Sequence, residues 1–295
     1  MMNLQESGVK IHVYLKGEGT MNGESRRQEE TMISSFDGTK LRFRKDAVEN
    51  PKALIVIAHG LCEHLNRYDY FTEKLNENGY SVYRYDQRGH GKSEGKKVYF
   101  KDFNEMPDDL GQILALAREE SGGKKVFLFG HSMGGETVTL FGAKNPGMAD
   151  GIITSGALTH YNHPVMGDQF PIEAPDDTYL PNELGDGVCS DKKVIEAYVS
   201  DPLVEKEIST GLINQIYAGV QWLKANIKSF SDPVLILHGA DDGLVAAKDS
   251  LDLFEEISSE DKSLHVYANL FHEILNEPCR DEIIGDILLW LGKHI

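Results

Sequence analysis

Apolar residues along the chain gather into short runs, and the stretches between them alternate with a helical period. The clearest run is ALIVIA at residues 53–58, apolar at every position, as a central parallel strand covered on both faces must be. Residues 80–85, 125–129, 151–155, 233–237 and 263–267 predict five further strands. Helices are predicted over 68–78, closed by Gly79, over 107–120, with Pro107 in the first turn, over 133–144 and over 281–294. Upstream, two β-prone runs at 31–36 and 40–44 flank Asp37-Gly38, a dipeptide suited to a hairpin turn. Helices threaded between short apolar strands predict the α/β class: an open, mostly parallel central sheet with helices on both faces.

Two regions depart from that rhythm. Residues 1–30 are polar, with a Gly-rich stretch around 17–23, and residues 11–15 read either as a short edge strand or as part of an N-terminal tail. Between the fourth and fifth parallel strands lie residues 159–232. Their first half is rich in Pro, Gly and Asp, and the second holds helical patterns over 191–199 and 209–228. An insertion of that size is most simply a cap, or lid, over the carboxyl ends of the strands, where open α/β sheets place ligand sites. The expected organisation is a tail or edge strand over 1–30, a core made of 31–158 and 233–295, and a cap over 159–232.

Composition narrows the function. With 40% hydrophobic and 26% charged residues the chain is neither disordered nor low in complexity. Thirty Lys+Arg against forty-seven Asp+Glu leave a net charge of −17. Such a surface repels polyphosphate and weakens adhesion to anionic lipid, so no nucleic-acid partner is expected. Cys62, Cys189 and Cys279 lie too far apart for a zinc or redox motif, and their odd number suits a reducing compartment. The first sixteen residues lack the basic-then-apolar order of a secretory signal, and no apolar run approaches the roughly 20 residues that span a bilayer. A cytoplasmic location is expected.

The sharpest feature is Gly130-His131-Ser132-Met133-Gly134, a G-x-S-x-G pattern between the apolar strand VFLF and an amphipathic helix. That strand–turn–helix context is a nucleophile elbow, in which the glycines remove side chains that would collide and Ser132 Oγ is held above the sheet. The N-terminus of the following helix favours a developing negative charge. A hydroxyl needs a base, and the base needs a carboxylate to orient it, here in the chain order Ser, acid, His. Downstream, His238-Gly239-Ala240-Asp241-Asp242 offers two adjacent carboxylates after a buried strand, and His272 follows the last strand. His238, at a strand end, reads as a packing residue. Attack on a carbonyl also needs an oxyanion hole. In the turn His59-Gly60-Leu61-Cys62-Glu63-His64 the Leu61 N–H can face the site, with the Met133 N–H as second donor.

HGLCEH, YDQRGHGKSEG at 85–95, GHSMGG, SDPL at 200–203, HGADDGLV and FHE around His272 occur in that order. Over roughly residues 31–295 this set resembles the monoacylglycerol lipase and lysophospholipase branch of the α/β-hydrolases, which also holds serine aminopeptidase S33-like members. The resemblance implies an α/β-hydrolase fold, Ser132 as nucleophile, His272 as base, and Leu61 and Met133 as oxyanion donors, with no metal or organic cofactor. In that branch the acid lies three residues after the glycine that ends its strand, which selects Asp242 over Asp241. Asp86, Arg88, His90 and Ser93 look like the branch's structural turn, and Glu63, His64 and Arg67 like turn supports. Cys62 stands at a position that is small in the branch, which implies a pocket-wall residue.

The cap departs from the branch. Members acting on membrane-borne monoacylglycerols carry an apolar cap helix. Here residues 163–182 are broken by four prolines and carry Asp168, Glu173, Asp176 and Asp177. Eleven acidic residues against five lysines between 159 and 230 give a net of −6, which cannot form a long amphipathic membrane helix. The expected activity is serine carboxylic ester hydrolysis in lipid metabolism through an acyl-enzyme, on monoacylglycerol, lysophospholipid-like or other single-acyl esters. The alternatives are a short-chain or hydroxycinnamoyl (aryl) esterase, then an aminopeptidase, then a non-catalytic ligand-binding protein on the same fold. The expected partner is a small-molecule ester, with no stable membrane association; the oligomeric state is not encoded in any pattern found.

Overall fold

The computed structural model describes residues 14–15, 19–21 and 24–295. The chain opens with β1 (Tyr14–Leu15), β2 (Gly19–Met21), β3 (Glu24–Ser34), β4 (Lys40–Val48) and β5 (Ala53–Ala58). A 3-10 turn at Leu65–Tyr68 leads into α1 (Asp69–Glu77), then β6 (Tyr80–Tyr85), α2 (Glu105–Glu120), β7 (Val126–His131), α3 (Met133–Lys144) and β8 (Ile152–Ser155). Next come β9 (Tyr179–Pro181), α4 (Lys192–Ser200), β10 (Glu207–Ser209) and α5 (Thr210–Asn226). The chain closes with β11 (Val234–Gly239), α6 (Ala247–Glu256), β12 (Lys262–Tyr267) and α7 (Arg280–His294).

The main sheet runs β1-β3-β4-β6-β5-β7-β8-β11-β12, with β2 also on β3. From β6 to β12 all neighbours are parallel, so the six strands expected from apolar runs form the parallel sheet. The order reverses direction about β5, which makes its carboxyl end a topological switch point. β4, β3 and β1 continue the sheet antiparallel. Of the 11–15 run, residues 14–15 pair with Glu30 and Glu29, and 11–13 lie outside the described residues.

β5 shows why its sequence lacks alternation. Leu54, Val56 and Ala58 pack on one face with Leu110, Val138 and Leu212 of α2, α3 and α5. Ala53, Ile55 and Ile57 pack on the other with Phe71 of α1 and Ile287 of α7. Both faces are dry, so every position must be apolar.

Three features differ from expectation. β3 begins at Glu24 rather than near residue 31, because a long antiparallel ladder on β4 recruits the polar stretch before it. α6 carries only a thin apolar stripe, with Leu253 buried and Leu251 exposed. Its inner face is polar: Asp249 accepts the N–H groups of Thr159, His160, Tyr161 and Asn162 and so anchors the chain as it leaves β8. The small β9–β10 sheet, paired Tyr179 with Ser209, also lacked a hydrophobic signature.

Glu136 on α3 is fully buried, and neither carboxyl oxygen has a hydrogen-bond partner among the described residues. It faces Gly219 of α5, where a Cβ would lie 2.3 Å from Oε1. Burial alone pushes its pKa well above the ordinary 4.5. The neutral form therefore belongs to the fold, and stability is complete below the ordinary carboxyl range and falls as pH rises towards the raised value. Each unit of that rise costs about 1.4 kcal/mol. Glu136→Gln should match the parent near pH 4.5 and melt progressively higher above it, by on the order of 3 °C per kcal/mol recovered. Thermal melts of both proteins from pH 4.5 to 8.5 check this; a constant offset would contradict it.

Candidate active site

Ser132 joins β7 to α3 at φ 55°, ψ −119°, a conformation strained for a residue with a side chain. The turn closes only because its flanks lack side chains. A Cβ on Gly130 would lie 2.1 Å from the Gly134 carbonyl oxygen, and one on Gly134 would lie 2.1 Å from that of Ala58. The Ser132 N–H donates to Ser155 O at 3.0 Å and its carbonyl accepts the Glu136 N–H at 3.0 Å, so β8 and α3 hold the elbow from both sides.

The candidate acid and base come from the loops after β11 and β12. His272 Nδ1 lies 2.7 Å from Asp242 Oδ2, and both side chains are buried. Asp242 Oδ1 accepts the N–H groups of Leu244 and Val245 at 2.8 and 2.9 Å. Asp241 points its residue surface to solvent. Ser132 and His272 line the same pocket, with Leu61 and Met133 beside them. Among the described residues, the N–H groups of Leu61 and Met133 take no acceptor in the backbone network. All five residues singled out in the sequence thus meet at one place.

A sequence model of the family described as "Serine aminopeptidase, S33" matches residues 49–279. The chain belongs to this family. It is 30% identical to the monoglyceride lipase of Homo sapiens over 83% of this chain and 84% of that one. It is 29% identical to the monoacylglycerol lipase of Mycolicibacterium smegmatis over 83% and 90%. The structure superimposes with a TM-score of 0.78 and 26% identity on a soluble variant of monoglyceride lipase from Saccharomyces cerevisiae in complex with a substrate analog, covering 90% and 94%. The protein is a serine hydrolase with the α/β-hydrolase fold.

Within the hydrolase three residues do more at the site than their sequence context shows. His238, read as packing, lies 3.0 Å through Nε2 from Asp242 Oδ2. Its Nε2 is also 3.0 Å from Val245 O, and its Nδ1 is 2.7 Å from Ser250 Oγ. Both neighbours of Nε2 are acceptors, so Nε2 carries the proton and a second imidazole N–H points at the Asp242 carboxylate. The signal was its i,i+4 spacing to Asp242. Glu63 and Arg67, read as turn supports, form a buried cluster with Glu273: Arg67 lies 2.7 Å from Glu63 and grips Glu273 with two nitrogens. Glu63 also accepts the Gly60 N–H at 2.5 Å and so sets the turn that presents Leu61. Cys62 does not line the pocket. It is fully buried at φ 64°, its carbonyl accepts the Glu205 N–H, and it is absent from the residues that line the cavity. No His/Cys/Asp/Glu group among the described residues could hold a metal ion.

Burial opposes charge on both partners, yet Asp242 stays far below the ordinary carboxylate range because His272 and His238 face it. The His272 pKa rises above the ordinary 6.5: burial lowers it, and the Asp242 charge and hydrogen bond outweigh burial. His131, whose ring centroid is 4.5 Å from that of His272, is pushed down to about 4 by burial and the His272 charge, so it stays neutral beside the base. A base must be unprotonated, so kcat/KM should rise with pH through a half-point above 6.5. Asp242→Asn should lower kcat by about 10³ to 10⁴ and move that half-point down, since burial is then opposed only by the smaller effects of the Glu273 and Glu63 charges. Asp241→Asn should cost far less. Rate profiles from pH 5 to 9 on the folded variants check both, and the reverse ranking would overturn the assignment of the acid.

Proposed function

We propose that the protein hydrolyses single-acyl carboxylic esters, monoacylglycerols foremost, with residues 159–232 acting as the cap of the acyl site. One observation carries the reading: Ser132 and His272 open into a pocket whose walls are apolar side chains from both core and insertion, among them Leu158, Val188, Ile216 and Leu244. Such walls suit an acyl chain and offer a peptide little. The two carboxylates at the pocket, Glu63 and Glu273, are both paired with Arg67, so neither is free to hold the ammonium of a peptide N-terminus. The names of the relatives, lipases of monoacylglycerol, agree with an ester substrate.

In this reading Ser132 Oγ attacks the ester carbonyl while His272 Nε2, the nitrogen not engaged by Asp242, takes its proton. The oxyanion forms against the N–H groups of Leu61 and Met133. The tetrahedral intermediate collapses as His272 returns the proton to the departing alcohol. Water, deprotonated by the same imidazole, then attacks the acyl-enzyme and releases the carboxylic acid and Ser132. Asp242 holds the imidazole in the tautomer with Nδ1–H and stabilises the imidazolium.

Residues 163–182 turn most of their apolar side chains inward, which supports a cap that does not dock on lipid. Of the scattered apolar residues in 163–182, Val165 and Met166 turn into the pocket, and Phe170 stacks on Tyr217 at 4.0 Å. Leu180 is the exposed one. No helix among the described residues is long and apolar enough to cross a membrane. The three cysteines are free, in keeping with a cytoplasmic enzyme.

Wild-type protein should react with a fluorophosphonate and hydrolyse p-nitrophenyl esters and monoacylglycerols, whereas Ser132→Ala should do neither. Turnover should follow monomeric substrate without a jump at the critical micelle concentration, and the protein should stay out of the pellet with anionic vesicles. A sharp rise at the micelle threshold together with vesicle co-sedimentation would restore an interfacial lipase; labelling without ester turnover would overturn the substrate class.

A further inference from the structure

The loop that carries His272 is attached to the cap as well as to the core. The Glu273 N–H donates to Val188 O at 2.6 Å. Two residues on, the Ser190 N–H donates to Glu277 Oε1 at 3.0 Å, and the Ser190 hydroxyl donates to Glu277 Oε2. The same Oε1 accepts the N–H of Phe271, the residue before His272, at 3.1 Å. One carboxyl oxygen therefore holds a cap residue and the neighbour of the base at once.

Glu277 is fully buried, and among the described residues no lysine or arginine pairs with it. Its carboxyl is held by neutral donors from Ser190 and Phe271, so it ties the cap segment to the His272 loop without a cation. Glu277 touches neither Ser132 nor Asp242 and does not line the pocket. Val188 does line it, and is buried at the same joint. The chain of contacts thus runs from the acyl wall at Val188, through Ser190 and Glu277 Oε1, to the Phe271 amide and His272.

We propose that Glu277 is a positioning residue that makes the alignment of His272 depend on the contact between acyl chain and cap. An acyl chain long enough to press on Val188 settles residues 188–190, and Glu277 passes that order to the imidazole against Asp242. A short acyl group does not reach Val188 and leaves the segment to its own packing and hydrogen bonds. Because the acyl chain stays in the pocket through both acylation and deacylation, its length is read in kcat as well as in KM. This inference rests on the ester reading above.

The test measures kcat and KM for p-nitrophenyl esters from acetyl to decanoyl, with pH profiles, in wild type, Glu277→Ala, Glu277→Gln and Ser190→Ala. Wild-type kcat should climb by about tenfold across the series. In Glu277→Ala the climb should fall below about threefold while the dependence of KM on length persists, and the half-point of kcat/KM should move to lower pH as His272 loosens from Asp242. Glu277→Gln keeps the shared acceptor and should restore most of the climb. Ser190→Ala should fall between them, and carries the test if Glu277→Ala does not fold. Alkylphosphonofluoridates of increasing alkyl length give the same comparison at Ser132 without turnover, and decide the matter if no ester is hydrolysed. A full wild-type climb in Ser190→Ala or Glu277→Ala, a change confined to KM, or a Gln variant no better than Ala would each overturn the proposal.

Discussion

The whole site hangs on how closely α3 can approach the end of β5. Gly134 lies against the carbonyl groups of Ala58 and His59, and Gly130 against Gly134, at separations that no side chain could share. That crossing turns the chain sharply enough to hold Ser132 at positive φ, and it brings the first amide of α3 alongside the turn that follows β5. Proposed nucleophile and proposed oxyanion donors are therefore products of one packing constraint. The strain at Ser132 is held by the hydrogen bond its N–H donates to Ser155 O and the one its carbonyl accepts from Glu136, so the elbow is rigid before any substrate arrives.

Around this crossing the charges are arranged in two closed groups. Asp242 faces two imidazoles and two backbone N–H groups, which leaves its carboxylate saturated although it is buried. Glu63, Arg67 and Glu273 satisfy one another on the opposite side of the base. Removing Arg67 would leave two buried carboxylates without their cation, which costs about 3–5 kcal/mol. The result is a pocket with ionic groups in its frame and apolar atoms on its walls, in which the proposed base is raised and its neighbour His131 remains neutral.

The stretch 163–182 shows how composition and placement differ. Its carboxylates and prolines exclude a membrane helix, and its apolar residues are too scattered to suggest a core. Folding collects them: Tyr161, Phe170 and Tyr217 meet as an aromatic cluster, and Met166 reaches the pocket. What looks like a loop in sequence becomes part of the pocket wall because α5 supplies the partner surface.

The six parallel strands and the elbow at Ser132 were legible in the sequence, and so were the candidate positions of acid and base after the last two strands, because each depends on local pattern. A strand dry on both faces must be apolar at successive positions, and a tight βα turn must carry glycines where backbones touch. The choice of Asp242 over its neighbour came from the family resemblance, and the contacts agree with it: Asp242 reaches His272 while Asp241 faces solvent. The contacts of His238, Glu273 and Glu277, the burial of Cys62 outside the pocket lining, and the polar inner face of α6 were not legible. Each rests on a contact between segments far apart in the chain, where a residue's own neighbours carry no trace of its partner. Local sequence determined which elements form and which residues could do chemistry; tertiary packing decided which polar groups are buried together, and so which of them surround His272.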